Sequence, residues 1–123
     1  MLEKVFEAIK INNLTLKNRF VVPAMVSKYC TTDGYATEQY IAYHEAKAKG
    51  GWGLIIAEDY RIAPNVGASA ELPGLFTEEH IKSHSELTER VHAAGGKILH
   101  KSIMQVYRQV VHYMGYNLLQ YLV

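Results

Sequence analysis

The sequence predicts an α/β fold built on a parallel sheet. Strand-like and helix-like segments alternate along the chain, and both helical segments end in Gly-Gly directly before a strand-like run. Alternation of this kind makes right-handed βαβ units. The run Leu54-Ile55-Ile56-Ala57 is apolar at consecutive positions. A strand of that type is buried on both faces, as in a parallel sheet.

Each element has a local reason. In residues 5–16, Ile9 and Ile11, then Leu14 and Leu16, alternate around Asn12-Asn13, the pattern of a β-hairpin with a two-residue turn of type I′. Phe20-Val21-Val22 is a β-branched strand closed by Pro23. Ser27 to Tyr35 reads as loop, with Asp33-Gly34 as a turn. Thr37 supplies a hydroxyl N-cap to a helix whose stripe is Tyr40, Ile41, Tyr43, His44 and Ala48. Gly50-Gly51 stops it, since glycine takes the left-handed conformation that ends helices. Trp52 to Tyr60 is the second strand, and residues 61–76 form a long loop. Thr77 caps the next helix, with Glu78 and Glu79 in its positive first turn and Ile81, Leu87, Val91 and Ala94 as its expected apolar face. Gly95-Gly96 ends that helix, and Lys97-Ile98-Leu99 opens a third strand.

Two architectures satisfy this order: an open doubly wound sheet or a (β/α)8 barrel. Neither loop after a strand carries G-x-G-x-x-G, so nothing points to a dinucleotide fold. Both loops at strand C-termini are long while the helix-to-strand links are short, which puts function at the strand C-terminal ends in either architecture. The composition is that of an ordinary globular chain: 123 residues, 49% hydrophobic and 20% charged. A formal net charge of +1 gives no electrostatic case for nucleic acid or an anionic membrane. One cysteine, Cys30, cannot form an internal disulfide or a multi-cysteine metal site. No run approaches a membrane span and Met1-Leu2-Glu3-Lys4 does not open a signal peptide, so a cytoplasmic protein is expected.

The motifs resemble one family. Asn18-Arg19-Phe20-Val21-Val22-Pro23-Ala24-Met25 is similar to the first barrel strand of the Old Yellow Enzyme family of FMN-dependent NADH:flavin oxidoreductases. The preceding hairpin resembles the strand pair that plugs the floor of that barrel. Asp33-Gly34 leading into Thr37-x-x-x-Ile41-x-Tyr43-x-x-Ala46, Gly50-Gly51-x-Gly53-Leu54-Ile55-Ile56 and Gly95-Gly96-Lys97-Ile98 agree in order and spacing across residues 5–98. Trp52 and Glu58-Asp59-Tyr60 resemble the branch with enoate and 2,4-dienoyl-CoA reductases, whose members often append iron–sulfur and FAD domains.

The resemblance implies a partial (β/α)8 TIM barrel: the hairpin, two βα units and a third strand, against roughly 250 residues for a complete barrel. It implies FMN at the strand C-termini, NAD(P)H as reductant and a small-molecule activated alkene as substrate. By position Pro23, Ala24, Met25, Val26 and Asp59 would bind the flavin; valine at Val26 cannot donate the hydrogen bond that threonine or cysteine gives in many relatives. The phosphate-binding loops and the substrate-activating residues of the family come later in the barrel, so the chain is expected to carry no catalytic residue and to be inactive alone.

After Leu99 the pattern departs. The family strand would continue Gln-x-x-His-x-Gly-Arg-Gln, but the chain reads His100-Lys101-Ser102-Ile103-Met104-Gln105-Val106-Tyr107 before Arg108-Gln109. Residues 100–106 can be encoded CAC AAA TCT ATC ATG CAG GTA. Read one base earlier, with a final G from Leu99, the bases give Ala-Gln-Ile-Tyr-His-Ala-Gly, the family strand. The expectation is residues 1–99 as the N-terminal part of an FMN-binding barrel and residues 100–123 as a divergent tail in a shifted frame. All 12 acids lie at or before Glu89, and residues 90–123 carry none.

Other constellations read as structure. His80 and His84 are spaced i, i+4, but without H-E-x-x-H they are expected as surface histidines and not metal ligands. Cys30 lacks a strongly positive setting, and Tyr40, Tyr43 and His44 read as helix contacts with the sheet. Glu58 and Asp59 point to opposite faces, so they do not form an acid–base pair. Val110 to Val123 reads as a poorly packed tail. Two alternatives to an enzyme part are a non-catalytic module that self-associates through its open sheet edge or docks onto a separately encoded remainder, and a small flavodoxin-like domain, for which Ala24-Met25-Val26-Ser27 is too poor in glycine.

Overall fold

The computed structural model describes residues 3–64, 66 and 69–103. In chain order it contains α1 (Glu3–Phe6), β1 (Ile9–Ile11), β2 (Leu14–Leu16), β3 (Val21–Val22), α2 (Glu38–Lys49), β4 (Leu54–Arg61), α3 (Glu78–Ala93) and β5 (Ile98–Ile103). Strand β5 crosses position 99 and continues through Lys101 and Ser102. The rest of the divergent stretch, with Arg108-Gln109 and Val110–Val123, lies outside the described residues.

The hairpin forms as its alternation predicts, with Ile9 opposite Leu16 and Ile11 opposite Leu14. In its turn only Asn12 has a positive φ, 50°. That is the φ pattern of a II′ turn, whereas I′ would need Asn13 positive as well. The short α1, which the sequence reading missed, is tied to the strand lead-in by Arg19 N–H donating to Val5 O at 2.9 Å. Phe6, Phe20 and Trp52 then meet edge to face at 5.2 and 6.0 Å. Phe20 precedes β3 and Trp52 precedes β4, so this aromatic group marks the N-terminal end of the sheet.

The main sheet is parallel in the order β3-β4-β5. Its register places Val22, Ile55 and Ile98 in one row. Helices α2 and α3 lie against each other and cover that row: Tyr40, Ile41 and Ala48 from α2 and Leu87 and Val91 from α3 join Val22 and Ile55 in one buried cluster. Arg90 ties the helices together by reaching Glu45 at 2.6 Å and Glu38 at 2.8 Å. The neighbours on the opposite face stay open, with Val21 38% and Leu99 43% exposed. Central strand β4 is buried along nearly its whole length, as its unbroken apolar run predicts.

The polar and small residues of the motifs have defined work. Asn18 Nδ2 donates to Gly51 O at 2.8 Å, and its Oδ1 accepts from Phe20 N–H at 3.1 Å. A Cβ on Gly53 would sit 2.5 Å from Asn18 Oδ1, which restricts position 53 to glycine. Thr37 and Thr77 cap α2 and α3 through Tyr40 N–H and His80 N–H. Gly51 and Gly95, at φ 93° and 72°, turn the chain from helix to strand.

Helix α3 departs from its expected face. Its buried residues are His80, His84, Leu87 and Val91, while Ile81 is 57% exposed. The spacing 80, 84, 87, 91 is a true helical stripe, and residue 81 lies about 60° beyond its edge. His80 and His84 are therefore not surface histidines. Both can be buried because hydroxyls and backbone carbonyls satisfy their ring nitrogens.

Candidate functional site

The strand C-terminal ends bring together three segments: the loop after β3, the end of β4 and the loop from β4 to α3. Val22 lies opposite Ile55, so Val26 and Asp59 each follow four residues after a paired position. Pro23, Met25 and Val26 are exposed, Met25 by 62%, and Ala24 is half-buried. The N–H groups of Ala24, Met25 and Val26 make no hydrogen bond among the described residues. Asp59 is half-buried and pairs with Lys101 of β5 at 2.8 Å. The five residues expected to bind flavin therefore sit at one end of two adjacent strands: Pro23 to Val26 present apolar side chains and three N–H groups without a partner among the described residues, and Asp59 presents a carboxylate paired with Lys101.

Glu58 is the residue whose role the sequence reading missed. It is 1% exposed, and its two carboxylate oxygens accept from Ser27 N–H, at 3.1 Å, and from the Ser27 hydroxyl. Burial raises the Glu58 carboxyl above its ordinary value, and the two bonds from Ser27, with the nearby Lys28 N–H, oppose that rise. Asp59 points to a different partner, so the two neighbouring acids divide as alternation on a strand predicts.

Behind this end lies a buried polar layer. The β4–β5 register shifts between Ile56 and Asp59. Tyr60 is turned toward the helices, its hydroxyl 3.2 Å from that of Tyr40 and 3.4 Å from His84 Nδ1. His84 Nε2 lies 3.1 Å from Gly34 O and His80 Nε2 lies 2.9 Å from Asp33 O. A carbonyl only accepts, so both rings carry their proton on Nε2, leaving Nδ1 to accept from Tyr60 or Thr77. Burial pushes the phenols of Tyr40 and Tyr60 up and the His84 imidazole down. It also pushes the Cys30 thiol up to about 12, with Glu58 adding to the rise and Arg61 opposing it. Cys30 is thus a buried neutral thiol with no nucleophilic role at neutral pH.

The two long loops are joined. Gly74 N–H donates to Gly34 O at 2.9 Å, Arg61 N–H to Pro73 O and Leu75 N–H to Arg61 O, both at 2.8 Å. Arg61 Nη2 reaches Thr32 O at 3.3 Å. Gly34, at φ 94°, leaves no room for a side chain beside Arg61 and Gly74. Among the described residues no three His, Cys, Asp or Glu side chains group as a metal site, and no helix is long and apolar enough to cross a membrane.

Residues 4–107 match the NADH:flavin oxidoreductase / NADH oxidase family. The chain belongs to that family. It is 36% identical over 98 residues to an NADH oxidase of Thermoanaerobacter brockii, covering 76% of this chain and 15% of the relative. It is 35% identical over 99 residues to an NADPH dehydrogenase of Bacillus subtilis, covering 80% and 29% respectively. The fold is similar to that of Old Yellow Enzyme from Pichia sp. AKU4542, with TM-score 0.78, 27% identity, and coverage of 91% of this chain and 30% of that one. It is also similar to a 2-naphthoyl-CoA reductase, with TM-score 0.80, 27% identity, and coverage of 85% and 16%. The chain thus spans less than a third of each of these relatives, and within the Old Yellow Enzyme family it corresponds to the N-terminal region.

Proposed function

We propose that residues 1–99 are the N-terminal part of an FMN-binding (β/α)8 barrel that reduces activated alkenes of the enoate or enoyl-CoA type with NAD(P)H. The observation that carries the reading is the exposed segment Pro23–Val26, whose free N–H groups and apolar side chains suit a flat ring with a polar edge. Pro23, Ala24, Met25 and Val26 would hold one side of the flavin, with Asp59 beside them. Bound FMN would supply hydride transfer between the nicotinamide and the alkene. The chain's own part is to place and orient the ring at the strand ends.

In this reading the isolated chain binds FMN weakly or not at all and does not turn over. It would bury one face of the ring and offers three of the eight strands that close such a barrel. Iron–sulfur and FAD domains belong to the reading only if further domains follow. The free Cys30 suits a cytoplasmic setting. Residues 100–123 are read as an out-of-frame tail, and the codons at 100–106 of the gene test that directly.

The functional test is an FMN titration of the purified chain, alone and joined to the downstream part of the Bacillus subtilis relative. The expected result is no stoichiometric yellow complex alone and flavin binding when joined. Stoichiometric FMN on the chain alone overturns the inactivity. A joined protein that folds and stays colourless overturns the flavin reading.

A further inference from the structure

The loop after β3 leaves its strand exposed, with free N–H groups at Ala24, Met25 and Val26, and then turns abruptly. Lys28 stands at φ 59°, in the left-handed region that a residue with a long side chain occupies only when its surroundings impose it. Directly before it, Ser27 gives both its N–H and its hydroxyl to Glu58. Glu58 is buried, sits on the central strand β4, and makes these bonds to a segment 31 residues earlier.

We propose that Glu58 is a positioning residue: by holding Ser27, next to the left-handed Lys28, it sets the direction in which the N–H groups of Ala24, Met25 and Val26 face the ligand at the strand ends. The role rests on the reading of that segment as the flavin-facing one. A carboxylate suits it because it only accepts, and can take several donors at once. A glutamine would present an NH2 toward donors it cannot pair with. The groups around Glu58 are Lys28 and Cys30 on the loop, Tyr40 on α2, and Asp59 and Tyr60 on its own strand. Of these, the Cys30, Tyr40 and Tyr60 ionisations are all pushed upward, away from the mildly acidic range.

The test is amide NMR on the full chain between pH 3 and pH 8, for wild type, Glu58→Gln and Asp59→Asn. The expected wild-type result is a Ser27 amide resonance that titrates above the ordinary carboxylate value, with Ala24, Met25 and Val26 following the same curve. Glu58→Gln should abolish that curve, and Asp59→Asn should preserve it. A flat Ser27 resonance in wild type, a curve that survives Glu58→Gln, or a Ser27 curve that Ala24–Val26 do not follow overturns the proposal. Urea unfolding of each variant separates loss of fold from loss of the clamp. FMN added in a second arm, to the chain joined to the downstream part of the Bacillus subtilis relative, tests the underlying reading by itself. Shifts centred on Ala24–Val26 uphold it. Their absence beside an intact Ser27 curve defeats the flavin reading and leaves Glu58 as the device that orients these amides.

Discussion

Val22, Ile55 and Ile98 form one row of the sheet and are sealed under α2 and α3, whereas Val21 and Leu99, one residue away, face outward and stay 38% and 43% exposed. The side chains on the two faces are of the same kind. What differs is coverage: the helices close one face with an apolar cluster backed by a hydrogen-bonded layer of Tyr40, Tyr60, His80 and His84. Buried apolar packing is concentrated on the helix face, and exposed apolar side chains on the face and strand ends that the described residues leave open.

Substitutions on the two faces should therefore part sharply. Leu87→Ala, at a fully buried position of α3, should lower the unfolding free energy by about 2–5 kcal/mol in urea denaturation, from lost burial and the cavity left behind. An equal loss for Leu99→Ala would break the contrast, since that exposed position should cost under about 1 kcal/mol.

His44 gives the next largest effect. It is 2% exposed, its two ring nitrogens have no partner among the described residues, and burial, then Lys47, lowers it from 6.5 to about 4. The folded protein thus prefers the neutral ring. Its contribution is fully present above about pH 6.5 and is lost as pH falls toward 4, by about 3 kcal/mol at 1.36 kcal/mol per unit. His44→Phe should flatten this acid limb in pH-dependent unfolding. It should also stabilise the neutral protein by about 1–3 kcal/mol, by removing unpaired polar atoms. An unchanged acid limb would assign the loss to other groups.

The smallest stability effect belongs to the open face. Val21→Thr with Leu99→Thr should shift the unfolding free energy by roughly 0.5 kcal/mol per site in urea denaturation. A loss as large as that of Leu87→Ala would show that the open face is packed as tightly as the covered one.

Element order and strand class were legible because they follow local rules: threonine caps, paired glycines at helix ends, and an apolar run for the buried strand. The residues expected at the flavin also lie together, because the sequence placed them just past strands that pair side by side. What escaped depended on distant partners. Histidine counts as polar in a helical stripe, so Ile81 was taken for the face that His80 and His84 occupy. The carbonyls that make those rings buriable lie 47 and 50 residues earlier, at Asp33 and Gly34. Glu58 was visible as one of two alternating acids, but the donors of Ser27 that give it a purpose come from another loop.

The lacing of the two long loops has a consequence for engineering. Gly34 receives a hydrogen bond from Gly74 of the other loop and one from His84 of α3, while Arg61 holds Thr32 on one side and Pro73 and Leu75 on the other. A loop exchanged alone with a relative would leave half of these bonds without a counterpart. Residues 27–36 and 61–76 form one transplantable cassette, and chimeras should swap them together with the first turn of α3.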